Sequence, residues 1–71
     1  MKIERLIKMI NDISDFFNAE SDKEVAAEGV KNHVLRAWEP RMRAAIIDYN
    51  QKDGNGLSAL AKAAVGKLSN S

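Results

Sequence analysis

Apolar residues recur along this chain with the 3.6-residue period of an α-helix, and nowhere with the alternation of a strand. Ile3, Leu6, Ile7, Ile10, Ile13 and Phe17 fall within about 120° of one another at 100° per residue, a stripe wide enough to face a core. Met9 and Phe16 sit beside that stripe as a second apolar lip. The pattern predicts a helix over 2–19. Ser21-Asp22-Lys23-Glu24 then reads as a capping box, in which the serine hydroxyl accepts from the Glu24 amide and the Glu24 carboxylate returns to the serine amide. It starts a second helix, predicted over 22–38, with Ala26, Ala27, Val30, Val34, Ala37 and Trp38 on its apolar face. These are mostly small residues, which let another helix come close. Gly29 costs this helix up to about 1 kcal/mol relative to alanine, and either permits a close crossing or is tolerated.

Pro40 excludes the α conformation at Glu39 and lacks an N–H, so it ends the second helix and suits the first turn of a third. Met42, Ala45, Ile46 and Tyr49 form the stripe of a short helix predicted over 40–50, with Pro40, Ala44 and Ile47 as a small ridge on its other face. Gln51 to Gly56 reads as a loop in which Gly54 and Gly56 take positive φ. A last helix, predicted over 57–68, carries Leu57, Leu60, Ala61, Ala64 and Leu68 on one face, and Ser69, Asn70 and Ser71 are expected to fray. The fold class is therefore all-α: a small four-helix domain in which the first two helices form an antiparallel hairpin and two shorter ones fold over it.

Length and composition narrow the function. A chain of 71 residues, 45% of them hydrophobic, is one small domain with a stability margin of only about 3–5 kcal/mol. It has no cysteine, which removes disulfides and thiolate metal sites and leaves a partner, either a second copy or another protein, as the expected support. Eleven basic residues against ten acidic ones are no footprint for nucleic-acid binding. No apolar run is long enough to span a membrane, and charges at Glu4, Arg5, Lys8, Asp12 and Asp15 interrupt any secretory apolar segment. The expected location is cytoplasmic.

Little in the sequence carries reaction chemistry. His33 is the sole histidine, so a metal site would lack a second imidazole or thiolate, and a catalytic role would need an activated partner. Asp48, Asp53 and Asn55 lack the spacing of a calcium loop, and Gly54-Asn55-Gly56 lacks the strand and Lys-Ser/Thr of a phosphate loop. No catalytic residue, cofactor site or metal site is expected. The informative stretch is His33 to Arg43, which gathers the only histidine, tryptophan and proline with Arg36, Arg41 and Arg43. Tryptophan, arginine and methionine are enriched in interface cores. Met9, Phe16, His33, Arg36, Trp38, Arg41, Arg43 and Ile47 are accordingly the expected partner-binding residues, facing a carboxylate-bearing protein. The bland alternative is a core tryptophan flanked by solvated arginines. Two other classes stay open: a small homo-oligomeric helical domain, and a helix-turn-helix regulator reading DNA through Arg36, Arg41 and Arg43.

Trp38-Glu39-Pro40-Arg41-Met42-Arg43 resembles the delta subunit of bacterial NAD-dependent formate dehydrogenases of the molybdenum or tungsten type. The likeness extends to Asp15-Phe16-Phe17, the His33 to Trp38 segment and the Gly56-Leu57, Leu60, Ala64, Leu68 pattern; Ala37 and Glu39 depart from it, where a bulky aromatic and an aspartate are expected. The resemblance implies a non-catalytic accessory subunit that assembles with or stabilises a cytoplasmic complex, binding one of its larger subunits. It also implies that molybdopterin, iron–sulfur clusters, flavin and the NAD site belong to those other subunits.

Overall fold

The structure, a computed structural model, describes residues 2–70, which form α1 (Ile3–Phe17), α2 (Lys23–Ala37), α3 (Pro40–Lys52) and α4 (Ala59–Ser69). Among the described residues there is no strand. Leu6 and Ile10 are buried at the centre of the α1 stripe, with Ile3, Ile7, Met9, Ile13 and Phe17 partly buried around them. Ser14 is buried in the same stripe, and its hydroxyl donates to the Ile10 carbonyl at 2.8 Å, so no polar atom is left unpaired there.

α1 ends two residues before its predicted limit because Lys23 captures the chain beyond it. The Lys23 Nζ donates to the carbonyls of Asn18 (2.9 Å) and Glu20 (3.1 Å) and to Asn18 Oδ1 (3.1 Å). The predicted capping box is displaced by one residue: Asp22, not Ser21, caps α2, its Oδ1 accepting from the amides of Glu24 (3.0 Å) and Val25 (3.4 Å). A carboxylate is favoured here by the positive end of the helix dipole. The Glu20 carboxylate in turn accepts from the Asp22 amide at 3.2 Å.

α2 packs most extensively on α4, α1 touches all three other helices, and α2 and α3 scarcely meet. Ala26, Ala27, Val30 and Val34 are buried on α2, and Leu60, Ala61, Ala64, Val65 and Leu68 on α4. The paired small residues allow this close approach. Ala37 is exposed, contrary to expectation, because α2 stops there. Trp38 leaves the helix with an extended backbone (φ −98, ψ 143) and turns its ring into the core, where it is 4% exposed.

The buried arc of α3 centres on Ile46 and takes in Met42, Ile47 and Tyr49, leaving Ala45 exposed. The predicted stripe is thus rotated by about one residue toward Ile47, since covering isoleucine removes more apolar surface from water than covering alanine. α3 also runs to Lys52, with Lys52 and Asp48 paired at 3.3 Å one turn apart. Gly54, at φ 69, donates its amide back to the Tyr49 carbonyl at 3.0 Å and ends the helix in the left-handed conformation that favours glycine. The loop to α4 is tied down from two sides. Tyr49 donates its hydroxyl to the Asn55 carbonyl at 2.6 Å, while the Asn11 side chain donates to the Gly56 carbonyl (2.8 Å) and accepts from the Ser58 amide (3.0 Å). Ser58 then caps α4 by accepting from the Ala61 amide at 3.1 Å. α4 continues through Ser69, whose hydroxyl bonds the Gly66 carbonyl, and Ser71 lies outside the described residues.

Across the α2–α4 seam, Lys67 pairs with Glu24 and, at 3.3 Å, with Glu28, which also holds Lys31 at 2.8 Å. Hydrogen bonds from Lys31 and then Lys67 hold the Glu28 carboxyl below its usual range. The hydrogen bonds that Lys67 donates to Glu24 and then to Glu28 raise its ammonium above the usual range. A surface cluster of this kind orients the seam more than it stabilises it.

A candidate partner-binding groove between α1 and α2

Three of the eight residues expected to meet a partner come together. Phe16 from α1 and His33 and Arg36 from α2 line a groove of about 480 Å³ with Asp12, Ile13 and Phe17. Helical spacing accounts for both walls. Asp12 with Phe16 and Ile13 with Phe17 stand one turn apart on α1, while Gly29, His33 and Arg36 follow one another at i, i+4 and i+7 along α2.

Gly29 sets the depth of the groove. A Cβ at this position would stand 2.5 Å from Phe17 Cε1 and 2.7 Å from Cδ1, so the phenylalanine ring occupies space that only a glycine leaves open. Of the two roles open to Gly29, the close approach is the one the fold uses. Phe17, seated on the α2 backbone, meets Phe16 edge to face, with ring centroids 5.3 Å apart and planes at 88°. Phe16 is left 79% exposed, the most exposed large apolar side chain described.

The charges on the two walls are unequally answered. Asp12 is paired with Lys8 at 3.0 Å along α1. Arg36 is exposed and forms no ion pair among the described residues. The arrangement is an apolar trough with one unneutralised guanidinium on its rim, suited to receiving an apolar side chain next to an anionic group.

The other expected contacts lie elsewhere. Trp38 belongs to the core, so its ring is not offered at the surface. Arg43 is partly buried and donates from Nη1 to the Trp38 carbonyl at 2.6 Å, which closes the free C-terminal end of α2. Met9 and Ile47 pack against the core. Arg41 is exposed near the start of α3. Sequence reading overlooked Val25, 55% exposed, and the groove-lining role of Asp12, Ile13 and Phe17. Gly29, one turn before His33, was the available signal for the groove.

Among the described residues no three histidine, aspartate or glutamate side chains gather as a metal-ligand set. No helix among them is long and apolar enough to cross a membrane. The family model for the NADH-dependent formate dehydrogenase delta subunit FdsD matches residues 5–65. The chain belongs to the FdsD family. The match upholds the resemblance carried by the Trp38 to Arg43 run, and it spans every residue that lines the groove. As its name states, FdsD is a subunit of formate dehydrogenase and therefore associates with other chains of that enzyme. No curated protein and no solved structure matches the chain.

Proposed function

We propose that this chain is a non-catalytic accessory subunit that assembles with, or stabilises, a cytoplasmic NAD-dependent formate dehydrogenase by binding one of its larger subunits. The observation that carries this reading is the exposure of Phe16 beside Arg36 in a domain of 71 residues that belongs to a subunit family. A chain this small gains little margin from its own core, and an exposed aromatic beside an unpaired arginine is the composition of an interface centre. In this reading the chain contributes surface, not reacting groups, and the cofactors and the formate and NAD sites lie on the other subunits.

Co-expression of the formate dehydrogenase subunits with and without this chain tests it directly. The expected result is recovery of the chain with the enzyme, and lower cofactor content or activity in the large subunit when the chain is omitted. Recovery of the chain without any formate dehydrogenase subunit, together with unchanged enzyme in its absence, would sink the proposal.

A further inference from the structure

We infer that the α1–α2 groove receives a segment of a larger formate dehydrogenase subunit in which an aliphatic or aromatic side chain is flanked by an aspartate or glutamate. The inference rests on the accessory-subunit reading and names the chemistry of its contact. Ile13 and Phe17 give the groove an apolar floor, and Phe16 stands on its edge with most of its ring in water. An apolar side chain entering here covers surface that the fold leaves wet. The rim then selects its neighbour. Arg36 has no carboxylate of its own, whereas the groove's one acid, Asp12, already holds Lys8 at 3.0 Å. A carboxylate brought in beside the apolar anchor pairs with the planar guanidinium, which binds such groups in two-point fashion.

Two other occupants fit less well. A nucleic-acid backbone requires several cations along a track, and this groove offers one arginine opposite an aspartate. A second copy laid groove to groove about a twofold axis would set Arg36 against another Arg36, and its groove acid, Asp12, already pairs with Lys8.

The test uses the assembled enzyme, with Phe16→p-benzoylphenylalanine introduced as a photo-crosslinker and the crosslinked peptide identified by mass spectrometry. The expected product joins position 16 to a larger subunit, at an apolar residue within one helical turn of an Asp or Glu. Changing that acid to its amide should weaken association roughly tenfold or more, as loss of a desolvated charge pair does. Arg36→Glu and Phe16→Ala, both at exposed positions, should reduce co-purification while Lys62→Glu, exposed on α4 and outside the groove, leaves it intact. A crosslink to a second copy, a crosslink to a segment without an acid, or full co-purification of the Phe16 and Arg36 variants would overturn the inference while the accessory role stands. Failure of the unmodified chain to co-purify at all would overturn both.

Discussion

Phe17 occupies the space that a side chain at position 29 would fill: a Cβ there would stand 2.5 Å from its ring. This contact lets α1 and α2 come close at position 29, seats the ring that braces Phe16, and explains why a residue unfavourable to helices sits in the middle of α2.

Gly29→Ala should therefore destabilise the chain. Alanine recovers up to about 1 kcal/mol of helix propensity, but displacing a packed ring costs about 1–3 kcal/mol, so a net loss of about 1 kcal/mol is expected in urea unfolding. Adding Phe17→Leu, which shortens the obstructing side chain, should restore part of that loss. If Gly29→Ala proves stabilising, the ring moves aside freely and does not hold the groove's shape.

Gly66 provides the contrast. It lies within α4, and nothing stands within 4 Å of where its Cβ would be. Gly66→Ala should thus raise stability by up to about 1 kcal/mol, read as a rise of roughly 4–8 °C in Tm for a domain of this size.

Asn11 fastens the α3–α4 loop to α1 with two hydrogen bonds across more than forty residues of chain. Asn11→Ala removes both and should cost about 1–3 kcal/mol, the range for hydrogen bonds lost at partly buried sites. Amide hydrogen exchange at Ser58 should accelerate in step. Unchanged exchange there would show that the loop holds without the clamp.

Trp38 and Arg41, three residues apart in the His33 to Arg43 stretch, should behave differently. Trp38→Ala empties a core position at about 3–5 kcal/mol, comparable to the whole expected margin of so small a domain, so the isolated variant should lose cooperative unfolding. Arg41→Glu should leave the denaturation midpoint unchanged.

The Glu24, Glu28, Lys31 and Lys67 cluster predicts a pH dependence at both ends of the scale. Glu28 titrates below its ordinary value of 4.5, so its contribution is fully present above that pH and is lost as pH falls through the lowered folded value. Lys67 titrates above 10.5, so its contribution is complete below that pH and is lost as pH rises through the raised value. Glu28→Gln should be less stable than the parent chain at neutral pH, and the gap should close in acid. Because the cluster is exposed, the gap should also narrow in high salt.

The four helices and most of the core were legible in the sequence, because period, caps and proline act locally. Leu6, Ile10, Val30, Val34, Leu60 and Leu68 all lie where the periodicity puts them. The failures came where a residue's fate depends on something distant in the chain. Whether Ser21 or Asp22 caps α2 turns on Glu20 and on the folded loop. Whether Ala45 or Ile47 faces inward depends on α3 lying against both α1 and α4. Composition could single out Trp38 and Arg36 but not separate their destinies: a break in the helix turns the tryptophan inward, while the arginine, two residues earlier, stays on the outer surface of α2. The groove itself needed two chain segments, since Phe17 becomes its floor only when Gly29 is opposite.

α4 is the principal neighbour of α2 and supplies five buried residues, and it is the last of the four helices to leave the ribosome. Until it emerges, α2 lacks its most extensive packing partner, and the loop has no helix to lead into. Folding must therefore wait until α4 has been made, and a chain stalled before residue 59 would be left open to proteolysis. A subunit built in this way presents its groove on a settled α2 only once α4 has docked, because α2 finds its most extensive packing there.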